Sequence, residues 1–88
     1  MINLTRILKR KSYYRDAFKG ASGREVLADL KRFCHAIEPS IVVGNGQTDV
    51  YATGMRAGRQ EVFWRIAGHL NLDDAQLLNL KETVDNDD

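Results

Sequence analysis

Apolar side chains recur at helical spacing in several stretches of this 88-residue chain. The clearest set is Val26, Leu27, Leu30, Phe33, Cys34 and Ile37, which fills one arc of a helix while Arg24, Lys31, Arg32 and His35 fall opposite. Ser22-Gly23-Arg24-Glu25 opens that stretch as a capping box, so the spacing predicts a helix over 23–37 that Pro39 stops. Asp49 is placed to cap a second, longer helix running to about Leu70. Its apolar arc holds Tyr51, Met55, Val62, Ile66 and Leu70, with Phe63 at the edge. Leu30, Phe33, Val62 and Ile66 are therefore the expected core between these two helices. Asp73 and Gln76 form another capping box, with Leu72 stapling onto Leu77, and start a final helix to about Lys81. Upstream, Ser12 is placed to cap a short helix over 13–19 closed by Gly20, after a basic amphipathic turn carrying Leu4, Ile7 and Leu8.

Residues 38–48 hold Ile41-Val42-Val43 and then Gly44-Asn45-Gly46. The expected form is an irregular connection that tucks Ile41 or Val43 into the core. A small hairpin is the alternative, because this is turn chemistry after a β-branched run. The chain thus reads as all-α: a small bundle of three to four helices with one irregular connecting loop. It divides into a basic N-terminal segment (1–11), a helical domain (12–82) and an acidic tail (83–88) expected to be disordered.

The stretch Gly54 to Ile66 departs from an ordinary helix in three ways. A glycine inside a helix costs about 1 kcal/mol against alanine, so Gly58 is expected to admit the backbone of a neighbouring helix or subunit. Arg59 projects into the apolar arc, and a buried guanidinium needs a carboxylate. Asp29 is the first candidate partner and Asp16 the second; the alternative is an arginine snorkelling out over Leu70. Trp64 points the other way, among Ala57, Gln60, Ala67 and Gly68. Such a tryptophan suggests a protein-docking surface formed by Trp64, Gln60, Ala57 and Gly68. The alternative is that the first nineteen residues or the 38–48 loop fold over it.

Charge changes the picture more than composition does. The net charge of +1 conceals nine Lys/Arg against three acids in residues 1–35, and four against nine in residues 36–88. Arg6, Lys9, Arg10, Lys11, Arg15 and Lys19 concentrate the basic end. Such a patch binds phosphate backbones or an acidic partner, or is only a solvated face. The longest charge-free run, Pro39 to Thr48, is too short for a bilayer span, and the N-terminus lacks the apolar run of a secretory signal. With Cys34 as the single cysteine, no internal disulfide forms, and a soluble, cytoplasmic protein is expected.

Catalysis is not expected, nor is a cofactor or metal. His35 and His69 form no metal-ligand spacing with Cys34, and Cys34 falls on an apolar arc. Gly44-x-Gly46 lacks the lysine and the strand–loop–helix setting of a phosphate loop. A helix-turn-helix reading fails because the 49–70 and 73–81 pair meets at Asp73-Asp74. Non-specific nucleic-acid binding through the basic N-terminus remains as a second reading.

Tyr14-Arg15-Asp16-Ala17-Phe18, then Gly23, Val26-Leu27, Asp29-Leu30 and Phe33-Cys34, resemble a family of small tailed-phage proteins, the Bbp-nineteen-like phage domain. Gly58-Arg59-Gln60-Glu61-Val62 and Ile66 continue the resemblance, which spans about Tyr14 to Leu80. Members often carry Glu-Gly-Arg-Arg where this chain has Ala57-Gly58-Arg59-Gln60, and an Asp-Pro in the connecting loop that is missing here. The resemblance implies a phage or prophage product encoded near packaging and virion-assembly genes, with no enzymatic activity or cofactor. It places the protein in the cytoplasm of an infected bacterium or in the virion. The expected partner is another virion or packaging protein; the alternatives are a host protein, nucleic acid or a second copy of the chain.

Overall fold

The computed structural model describes residues 3–82, and they form four helices and one minimal hairpin. Helix α1 spans Leu4–Ala17, α2 Gly20–Phe33, α3 Val50–His69 and α4 Asp74–Leu78. Strands β1 (Val43–Gly44) and β2 (Gln47–Thr48) pair antiparallel between α2 and α3. The class is the all-helical one predicted, and the acidic tail at 83–88 lies outside the described residues.

The first helix starts much earlier than expected. Asn3, not Ser12, is its N-cap, accepting the Arg6 amide at 3.1 Å. Nothing between Leu4 and Lys11 breaks a helix, so the turn and the short helix merge and Ser12 lies inside. The chain then reverses through Phe18 and Lys19 alone. Gly20 takes a left-handed φ of +76°, which a side chain resists. Helix α2 therefore begins before the proposed capping box: Lys19 is its N-cap, and no side chain caps it. The reversal presses Gly23 onto the end of α1, where a Cβ would overlap the backbone of Phe18. The close backbone approach expected at Gly58 is here instead. A Cβ at Gly54 or Gly58 would meet no atom within 4 Å.

Helices α2 and α3 end in left-handed residues rather than where the apolar periodicity stops. His35 has φ +51°, and the Ala36 amide donates back to the Lys31 carbonyl while the His35 amide donates to that of Arg32. Asn71 repeats the arrangement, with φ +55° and Leu72 donating to Ala67. These are Schellman endings, and each turns the chain sharply. The first leaves Ile37, expected as the last core position of the helix, exposed outside it. The second feeds directly into α4, whose Asp73–Gln76 capping box forms as predicted.

The hairpin is the alternative form of the 38–48 segment. Asn45 and Gly46 both take positive φ, the turn that a two-residue hairpin demands. Ile41 and Val43 are exposed, against expectation; only Val42 turns partly inward. The Val42 amide donates to Thr53 Oγ1 at 2.9 Å and its carbonyl accepts the Asp49 amide at 2.7 Å. Asp49 in turn caps α3 through the Ala52 amide, as predicted.

The core is small and lies elsewhere than the wheels suggest. Leu27, Ala28, Cys34, Ala36, Phe63, Ala67, Leu77 and Leu80 are buried, flanked by Phe18, Leu30, Ile66, Leu70 and Leu72. Of the four expected core residues, Leu30 and Ile66 flank this cluster, whereas Phe33 and Val62 are exposed. Apolar residues lie all round α3, so periodicity alone selects no face. The choice falls to Phe63, whose ring is 0% exposed.

Candidate interaction surfaces

Trp64 is 43% exposed and meets Phe63 edge-on, with ring centroids 5.8 Å apart. It lines an open cleft with Ile37, Asp74, Leu77 and Leu78. Neither proposed lid forms that cleft; its wall is α4. The signal for this is the short turn after Leu70, because a helix started by the Asp73 cap must fold back on the end of α3. Among the other proposed contact residues, Ala57 and Gly68 are exposed. Gln60 is occupied within the fold, where its Nε2 donates to the carbonyls of His35 at 2.7 Å and Glu38 at 2.8 Å. It ties α3 to the chain leaving α2.

Arg59 does not pair with Asp29 as expected. Asp29 accepts from Arg32 Nη2 at 2.6 Å, three residues along the same helix and thus within easier reach. Arg32 also bonds Glu82 through Nε at 2.7 Å. The Arg59 guanidinium instead lies 4.9 Å from the centroid of the Phe33 ring. This cation–π contact joins the outward faces of α2 and α3, and worth about 0.5–1 kcal/mol it removes the need for a buried carboxylate. Around it Val26, Tyr51, Met55 and Val62 are exposed, beside the open Gly54 and Gly58.

Helix α1 buries no residue completely. Ile7, Lys11, Tyr14 and Phe18, at helical spacing, turn partly inward. Tyr14 stacks on His69 of α3, with centroids 4.3 Å apart. The opposite side carries Arg6, Lys9, Arg10 and Tyr13, which line a shallow groove with Asn3 and Thr5. The six predicted cations are therefore divided: three share this face, Lys11 turns toward α3, Arg15 is exposed on the flank, and Lys19 sits in the α1–α2 link. Charge alone does not single out Tyr13, although its spacing from Arg6, Lys9 and Arg10 is legible in the sequence.

Partial burial, and then the cations Arg65, Arg10 and Lys11, hold the His69 imidazole below its usual range. A histidine whose folded pKa is depressed stabilises the fold above its unfolded value, and that contribution is lost as pH falls through the folded one. A proton-NMR titration of His69 is expected to give a midpoint below 6.5, the ordinary value. A midpoint at or above it would mean that Tyr14 and α1 do not cover the ring.

Burial pushes the Cys34 thiol up, away from reactivity, with Arg59 opposing and Asp29 adding to the rise. Among the described residues, no three His, Cys, Asp or Glu side chains gather as metal ligands would. Nor is any described helix long and apolar enough to cross a membrane.

Neither proteins of curated function nor solved structures give a match to this chain. A family model described as Bbp19-like phage protein matches residues 14–82. The match takes in the core, the Phe18–Gly23 contact and the Trp64 cleft, and starts just after Tyr13. On that match, covering most of its length, the chain belongs to the Bbp19-like phage protein family.

Proposed function

We propose that this phage protein acts by contact rather than catalysis, as a small assembly or packaging-associated adaptor that docks another phage protein. The supporting observation is the imbalance of its apolar surface. Fourteen large apolar side chains are exposed among the described residues, against eight buried apolar ones. The Cα radius of gyration is 15.5 Å, whereas a compact chain of this length has about 12 Å. A flat molecule with so little enclosed core gains by covering its exposed apolar faces. Trp64 is the best anchor among them, a half-covered aromatic in a cleft with an acidic rim at Asp74.

The test places a photo-cross-linker at Leu78, beside Trp64, in the protein expressed during phage growth. One phage protein is expected to cross-link, and Trp64→Ala is expected to abolish the product. The same substitution should lower the partner affinity by about 2 kcal/mol or more. Its melting temperature should move only a few degrees, because the ring is partly exposed. Diffuse cross-linking, or a host protein as the sole product, overturns the assembly reading.

A further inference from the structure

The geometry points to a second surface, independent of the Trp64 cleft: a nucleic-acid phosphate site on α1, formed by Arg6, Lys9, Arg10 and Tyr13.

Arg6, Lys9, Arg10 and Tyr13 occupy positions i, i+3, i+4 and i+7 of one uninterrupted helix, so their side chains project together. All four are exposed, and they line one groove. The only carboxylate on α1, Asp16, lies beyond Tyr13 toward the core end. None of the ion pairs among the described residues involves Arg6, Lys9 or Arg10. The Tyr14–His69 stack holds the other side of α1 against α3, which leaves this face turned outward. Fixed cations without counter-charges attract a polyanion and release its bound counterions. Tyr13, 68% exposed in their midst, presents a ring on which an unpaired base can stack. Nothing in the groove offers the paired amide or carboxylate contacts that read base edges, so binding is independent of sequence.

The experiment measures binding of the full chain to a fluorescent duplex and to a single-stranded oligonucleotide between about 50 and 200 mM salt. Three phosphate contacts give a log–log slope near about −2.7 for the duplex, a loss of affinity of about fortyfold across that range. Substituting Arg6, Lys9 and Arg10 together by glutamine should flatten the slope to about zero. Tyr13→Ala should weaken the single strand about tenfold and leave the duplex nearly unchanged, which separates stacking from phosphate contact. Because none of these side chains is buried, circular dichroism should show all variants folded. Trp64→Ala should leave nucleic-acid binding intact, so failure of the cleft reading and of this one are distinguishable. Absence of binding at the lowest salt overturns the proposal, as does a slope unchanged in the triple variant. Equal binding of polyglutamate overturns it too, because an acidic protein partner would then suffice.

Discussion

Phe63→Ala is expected to cost about 3–5 kcal/mol. Phe63 is fully buried and has the largest such side chain among the described residues. Its removal leaves a cavity in the buried cluster that also holds Leu27, Ala28, Cys34 and Leu77. A domain of this size holds only about 4–13 kcal/mol in total, so the variant should be largely unfolded at body temperature or melt far below the native chain. The adjacent substitution, Val62→Ala, is the control. Val62 is 59% exposed, and its loss should cost well under about 1 kcal/mol. Urea denaturation of the pair decides which face of α3 is the core. If Val62→Ala proves the costlier change, α3 is turned to the arc of Tyr51, Met55 and Val62.

Gly23→Ala and Gly58→Ala should move stability in opposite directions. Both glycines lie within helices, where alanine is favoured by about 1 kcal/mol when nothing interferes. At Gly58 nothing does, so that change is expected to stabilise the protein by up to about 1 kcal/mol. At Gly23 the new methyl meets the carbonyl and Cα of Phe18. Backbone at the end of a helix cannot swing aside as a flexible side chain does, and overpacking of this kind costs about 1–3 kcal/mol or more. Separating α1 from α2 would also disturb the Tyr14–His69 stack. Thermal melts of the two variants on opposite sides of the native value are the expected result. A Gly23→Ala protein as stable as the native chain would mean that the two helices do not meet there.

The helix start signals in the chain show why local chemistry was readable only in part. Asp49 and Asp73 cap their helices as expected, since each follows an element that has already ended, β2 at Thr48 and α3 at the left-handed Asn71. Ser22 had the same local credentials and failed, because the two-residue reversal at Phe18-Lys19 had already started α2 against the end of α1. Ser12 failed for a similar reason: an uninterrupted run of helix formers upstream made it an interior residue. The basic face of α1 was visible as a charge run, but its membership changed on folding. Lys11 turned toward α3, and Lys19 became the first link into α2. The Trp64 cleft was half legible. A wheel showed that the ring turns from the expected core, yet could not show α4 folding back to form its wall.

Helical class, the two aspartate caps and the Asn45-Gly46 turn chemistry all follow from local composition and spacing, which act over a few residues. Which face each helix buries does not. On α3 both sides are apolar, and the face was selected by the partner that could enclose the Phe63 ring. On α2 it was selected by Gly23 and Ala28, whose small size lets the chain approach closely. Arg59 likewise had several acceptable partners by charge, and the one it took, the ring of Phe33, became available only because α2 turned that ring outward toward α3. Such choices depend on the shape of surfaces far apart in the chain, because packing free energy belongs to the fit of two faces and not to either one alone.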